Sequence, residues 1–102
     1  MKKYVVYIGL NDRETKCQEI DTISAFKICS NLAVEYIGYS TITESRGVYT
    51  HDNGQIVEEV TLRCEFCDCE LSKVKAFCVA AKTALNQESI ALEEQDINFN
   101  FI

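Results

Sequence analysis

The sequence predicts an α+β fold in the order β-α-β-β-α-β, with two helices on one face of a four-stranded antiparallel sheet. Three observations predict it. Apolar residues recur at helical spacing in two stretches, Ala25 to Tyr36 and Leu71 to Leu85. Runs rich in β-branched and aromatic residues precede, separate and follow those stretches. An Asn53-Gly54 pair lies between two such runs, which is a strong hairpin signal because both residues tolerate positive φ.

The elements follow in order. Tyr4-Val5-Val6-Tyr7-Ile8-Gly9-Leu10 carries apolar residues on both parities, as a central strand covered on both faces does. Asn11 to Glu19 is polar and reads as a loop. Asp21 or Thr22 can cap the first helix by accepting its orphan N–H groups. Ala25, Ile28, Cys29, Leu32 and Tyr36 form its core stripe, and Ile23, Phe26 and Ala33 widen it. Gly38 stops the helix as a left-handed C′ residue.

Tyr39 to Tyr49 reads as the second strand, with a bulge expected at Gly47. His51-Asp52-Asn53-Gly54 turns the chain, and Gln55 to Phe66 returns as the third strand. There Val60, Leu62, Cys64 and Phe66 share one face, and Glu59, Thr61, Arg63 and Glu65 share the other. Cys67-Asp68-Cys69-Glu70 connects to a second helix with the stripe Leu71, Val74, Cys78, Ala81 and Leu85, ended by Asn86-Gln87. Ser89 to Ile102 is a final extended segment. Its apolar parity switches between Ile90/Leu92 and Ile97/Phe99/Phe101, so a bulge or kink is expected near Glu93–Asp96. This order is the ferredoxin-like, or split βαβ, arrangement, in which the first and third strands are central.

Composition bounds the rest. A chain of 102 residues with 47% hydrophobic content reads as one domain, 1–102, able to bury a real core. With no proline and 4 glycines there is no linker or low-complexity segment to divide it. The net charge of −6 argues against nucleic acid, whose backbone needs clustered Lys and Arg. No apolar run approaches the roughly 20 residues of a membrane span. Met1-Lys2-Lys3 looks like the start of a signal peptide, but Asn11-Asp12-Arg13-Glu14 follows the apolar run with no small-residue cleavage site. The expectation is a cytoplasmic protein whose 6 cysteines are reduced thiols.

Tyr7-Ile8-Gly9-Leu10, Gly38-Tyr39-Ser40-Thr41-Ile42, Gly47-Val48-Tyr49, the run Gly54 to Thr61, and Gln87-Glu88-Ser89-Ile90 together resemble a small uncharacterised bacterial family. That family has a Phe-Gly-Leu first strand and a Gly-x-Thr…Gly-x-Trp hairpin. The layout is also similar to signalling proteins of the nitrogen-regulatory PII type. That likeness implies oligomerisation and, in the PII manner, a small-nucleotide pocket between subunits. The hairpin here is short, and no glycine-rich phosphate loop is present.

Candidate chemistry is sparse. Cys64-x-x-Cys67-x-Cys69 has thiolate spacing that zinc can use, with Cys17, Cys78 or His51 as a fourth ligand. Against this, Cys64 and Cys78 fall on core faces, where free cysteine acts as a small hydrophobe. Acidic neighbours Glu65, Asp68 and Glu70 also weaken the case for a reactive thiolate at Cys67 or Cys69. His51, the only histidine, lies beside a hairpin turn without an evident nucleophile. Glu58 and Glu59, with Glu44 on the neighbouring strand, suggest a carboxylate pair, but adjacent strand residues point to opposite faces. Tyr39, Tyr49, Arg46 and Arg63 suit an uncovered sheet face that meets a protein.

The reading is therefore a non-enzymatic binding or regulatory module with no catalytic residue and no cofactor. It acts through protein contact and self-associates, with a dimer favoured, through the open sheet face or the segment Ile97–Ile102. One concrete version is a phage- or mobile-element-encoded inhibitor whose acidic surface stands in for phosphates. The residues expected to carry partner binding are Tyr39, Tyr49, Glu58, Glu59, Arg63, Glu65, Asp68 and Glu70. The alternatives are a PII-like nucleotide sensor, a zinc-stabilised domain held by Cys64, Cys67 and Cys69, and a small enzyme in which His51 would approach a carboxylate or cysteine in a concave pocket.

Overall fold

The computed structural model describes residues 1–102. Its elements are β1 (Lys2–Gly9), α1 (Thr22–Tyr36), β2 (Thr41–Thr50), β3 (Ile56–Cys67), α2 (Leu71–Ala84) and β4 (Ala91–Asp96). They form one antiparallel sheet in the order β2-β3-β1-β4, so β1 and β3 are central, as the ferredoxin-like arrangement requires. No helix is long and apolar enough to cross a membrane.

The local signals act as the residues dictate. Asp21 caps α1, accepting from the Ser24 backbone N–H and hydroxyl at 2.8 Å each. At the other end, Gly38 takes φ +112° and donates its N–H back to Ala33 O, closing the helix. Between β2 and β3 only Gly54 is left-handed, at φ +83°. The turn is therefore a three-residue connection, Asp52-Asn53-Gly54, closed by His51 N–H to Gln55 O at 2.9 Å and braced by the Asn53 carboxamide oxygen.

The core lies between the helices and the even-numbered face of β1 and β3. Tyr4, Val6 and Ile8 of β1 meet Leu62, Cys64 and Phe66 of β3, and both are covered by Ala25, Cys29 and Ala33 of α1 and by Val74, Phe77 and Ala81 of α2. Phe66 and Phe77 pack edge to face with centroids 5.1 Å apart. Phe77 lies outside the stripe read from the sequence, yet it is among the largest fully buried side chains.

Three expectations are corrected. Ile23 and Phe26 do not widen the buried stripe of α1; they are 70% and 44% exposed. Each residue turns the helix by roughly 100°, so positions beside the Ala25–Cys29–Ala33 line swing off the sheet. Gly47 is not a bulge, because the β2–β3 register runs without a slip from Thr41↔Glu65 to Thr50↔Ile56. The glycine instead leaves space, since a Cβ there would lie 2.9 Å from Thr61 Oγ1. The parity switch near Glu93–Asp96 is also no bulge. The β1–β4 register is unbroken to Lys2↔Asp96, and the strand ends there.

The second face of the sheet carries no helix. On it Val5 is nevertheless fully buried, flanked by Glu65 of β3 and Glu93 of β4. Glu65 is paired with Lys3 at 2.6 Å and Arg63 at 3.1 Å. Arg63 lies over the Tyr7 ring at 6.0 Å, and the Tyr7 hydroxyl donates to Glu93 at 3.4 Å. The covering expected over both faces of β1 is thus supplied on this side by long polar side chains.

Candidate functional site: a carboxylate packed on a strand glycine

The expected site residues fall into three places. Tyr49 and Glu59 lie at the hairpin end of the sheet, on the helix-free face. Arg63 and Glu65 lie mid-sheet on the same face, in the ion-pair network just described. Tyr39, Asp68 and Glu70 lie at the opposite end, where Tyr39 Oη accepts from the Cys67 backbone N–H at 2.6 Å. Glu58 pairs with Val48 and projects from the other face, as Glu44 does, so neither meets Glu59. The acidic residues therefore do not form one continuous patch. Glu65 is already matched by cations, and its Lys3 bond first, then Arg63, hold its carboxyl below the usual carboxylate range.

The cysteines are also dispersed. Cys64 is buried on the core face with Cys29, while Cys67 faces the other way. The neighbouring Cys29 thiol, and then burial, push the Cys64 thiol up. Burial pushes Cys78 up to about 11 and also raises Cys69. Cys64, Cys67 and Cys69 do not converge, and no group of three His, Cys, Asp or Glu side chains is placed to hold a metal ion.

One location does gather chemistry. A cavity of about 340 Å³ opens at the hairpin end, lined by Asn11, Asp12, Arg13, Lys16, Tyr49, His51, Glu59, Gln87, Glu88 and Ser89. A broader depression continues from it beneath the hairpin and shares Asn11, Lys16 and His51. His51 packs edge to face on Tyr49, with centroids 5.3 Å apart.

Glu59 is the centre of the cavity's construction. Its Oε2 accepts from the Asn11 backbone N–H at 3.1 Å. Its carboxylate lies over Gly9: a Cβ at that position would sit 2.5 Å from Glu59 Cδ and 2.6 Å from Oε2. On the other side Glu59 pairs directly with Gly47 of β2. A side chain at Gly9 would therefore crowd this carboxylate, whereas one at Gly47 would press on Thr61 Oγ1 and reach Glu59 only at Cγ, 3.7 Å away.

The surrounding loops are fastened to one another. Gln87 Nε2 donates to Asn11 O at 2.9 Å, Asn86 Nδ2 to Asp12 Oδ2 at 2.9 Å, and Arg13 N–H to Asn86 O at 3.0 Å. The Asn86 bond is the first cause of an Asp12 carboxyl held below its ordinary range. Sequence reasoning missed Asn11, Lys16 and Gln87 as site residues. Gly9 inside a β-branched strand was the available signal, since such a glycine often marks a close approach.

No protein-family model matches the chain, and no curated protein matches it. Solved structures do. A phage SAM lyase in complex with S-methyl-5′-thioadenosine is similar over 93% of this chain and 80% of that one, at 22% identity and a TM-score of 0.72. CutA from Synechococcus elongatus is similar over 92% of this chain and 73% of that one, at 12% identity and a TM-score of 0.59. A DUF3240 family protein from Shewanella baltica is similar over 99% and 94%, at 10% identity and a TM-score of 0.57. At these identities the likeness is one of fold. It agrees with the α+β layout expected from the sequence, while neither family resembled at the sequence level is matched as such. It also corrects the expectation of a non-enzymatic module, because a solved structure similar over nearly the whole chain is that of an enzyme, a lyase.

Proposed function

We propose that this chain is an enzyme that cleaves S-adenosylmethionine, or a close sulfonium nucleoside, at the Glu59 cavity. The observation that carries the reading is the Glu59 carboxylate, packed on Gly9 with Oε2 fixed by Asn11. Its support from comparison is a fold shared with a phage SAM lyase that binds S-methyl-5′-thioadenosine.

The chemistry suits the residues. Each carboxylate oxygen has two lone pairs, so Glu59 can take ribose hydroxyls while Oε2 keeps its Asn11 donor, the role an acidic residue plays in many nucleotide sites. A sulfonium carries a positive charge, which Glu59, Asp12 and Glu88 favour through space and the Tyr49 ring favours through its π-face. When the carbon–sulfur bond breaks, its electron pair stays on sulfur, and the product is a neutral thioether. A lyase adds no water, so the substrate's own carboxylate oxygen attacks the carbon as its bond to sulfur breaks, and the amino-acid fragment leaves as a lactone. The sulfonium is already a good leaving group, and the site's work is to hold the substrate in a reactive conformation. That task needs neither a catalytic triad nor a bound metal.

Self-association belongs to this proposal as well. The helix-free face, with Tyr49, Arg63 and two edge strands, is the surface we assign to contact between copies, and native mass spectrometry reads the subunit number.

The test is incubation of the purified chain with S-adenosylmethionine and chromatographic detection of S-methyl-5′-thioadenosine. Release by the wild type, with a loss of roughly tenfold or more in Glu59→Gln, supports the reading. Tight binding without release would place the chain among nucleoside sensors instead. Neither binding nor release would overturn the assignment of this cavity.

A further inference from the structure

Gln87 is the one buried polar residue of the chain, 6% exposed. Its carboxamide nitrogen donates twice, to Asn11 O at 2.9 Å and Leu85 O at 3.2 Å. Its backbone N–H donates to Lys82 O at 2.9 Å, which fixes it to the end of α2. Asn11, in turn, is gripped on both sides: its carbonyl by Gln87 and its N–H by Glu59 Oε2 at 3.1 Å. Leu10 N–H to Val60 O, at 2.9 Å, holds the residue before it to β3.

We propose that Gln87 is a positioning residue for the Glu59 carboxylate, acting through the Asn11 backbone. Holding Asn11 O limits rotation of residue 11, which keeps its N–H aimed at Oε2. That fixes the rotation of the carboxylate over Gly9, and with it the direction from which a ligand can reach the carboxylate. The residue type fits this task. A carboxamide supplies two N–H donors to two carbonyls, whereas a carboxylate would face them with oxygen and an apolar side chain would leave both unpaired. The side chain also reaches Asn11 from the α2–β4 turn, so the end of a core helix sets the geometry of a cavity residue on the opposite face of the sheet.

The inference rests on Glu59 as the ligand-binding group, and the experiment separates the two. Affinity for S-methyl-5′-thioadenosine is measured for wild type, Gln87→Met, Glu59→Gln and the double variant. Gln87→Met is expected to weaken binding about tenfold in the wild-type background and less than about twofold when Glu59→Gln is already present. Equal losses in both backgrounds would show that Gln87 acts on general structure and would overturn the positioning role. Gln87→Asn, which keeps both donors on a shorter side chain, replaces Gln87→Met should the latter not fold. Independently of any ligand, the Asn11 amide resonance should move when Glu59→Gln is made in the wild-type background, and this movement should collapse when the Gln87 variant is already present. An undiminished response overturns the inference. A wild type that binds no thioadenosine yet shows this amide behaviour sinks the nucleoside reading and leaves the positioning role standing.

Discussion

Gly9→Ala isolates the candidate site with one methyl group. The added Cβ would lie 2.5 Å from Glu59 Cδ, far inside van der Waals contact. What it meets is the end of a flexible side chain, and Gly9 has no positive φ, so the backbone tolerates alanine. The carboxylate therefore moves and loses its 3.1 Å bond from Asn11. A hydrogen bond to a charged group contributes about 1.5–3 kcal/mol. If ligand binding needs the carboxylate where it now sits, affinity falls roughly 10- to 150-fold. Fold stability falls by less than that bond contributes, because replacing a strand glycine by alanine restricts the unfolded chain by about 0.4–1 kcal/mol and offsets part of the loss. Calorimetric titration with S-methyl-5′-thioadenosine, beside thermal unfolding, reads both quantities. Gly47→Ala is the control, since its Cβ would press on Thr61 Oγ1 at 2.9 Å and reach only Glu59 Cγ at 3.7 Å. Wild-type affinity in a folded Gly9→Ala protein would refute the reasoning.

Further outcomes are expected elsewhere in the molecule. Phe77→Ala removes a fully buried ring that packs on Phe66 and should cost about 3–5 kcal/mol, read by urea denaturation. Glu65 has a folded carboxyl below 4.5 because of Lys3 and Arg63, so its contribution is present above the unfolded value and fades as pH falls through the folded one. Glu65→Gln should therefore melt lower than wild type at neutral pH, with the gap closing in acid. Thiol alkylation of the native protein followed by mass spectrometry should modify exposed Cys17 first and spare Cys29 and Cys64 until unfolding; early labelling of Cys64 would contradict its burial.

The parts of the fold legible in the sequence are those set by neighbours along the chain. Asp21 reaches Ser24, Gly38 reaches Ala33, and Asn53 with Gly54 turns the hairpin within a few residues. Helix stripes and strand alternation are equally local periodicities. The errors arose where a local pattern had a non-local cause. Gly47 resembles a bulge until Thr61 and Glu59 of the next strand are seen to occupy its space. Ile23 and Phe26 look like core until the width of the sheet beneath α1 is known. The site itself was the least legible. Asn11 bonds Glu59 across 48 positions and Gln87 across 76, and no spacing rule connects these residues.

Glu59 differs physically from the other acidic residues of β3, although it alternates with Thr61, Arg63 and Glu65 on one face. Glu65 meets two cations, so its charge is already used within the sheet. Glu58 projects from the other face without a partner. Glu59 instead has a neutral backbone donor on one oxygen and glycines on both flanking strands. A sheet seeking stability alone would place β-branched residues at positions 9 and 47, since each strand glycine forfeits packing and backbone entropy. A glycine at position 9, directly under the carboxylate, is the pattern of a site rather than of a core. It places the chemistry at the hairpin end of the sheet, where the β1–α1 loop, the β2–β3 hairpin and the α2–β4 turn supply the remaining walls.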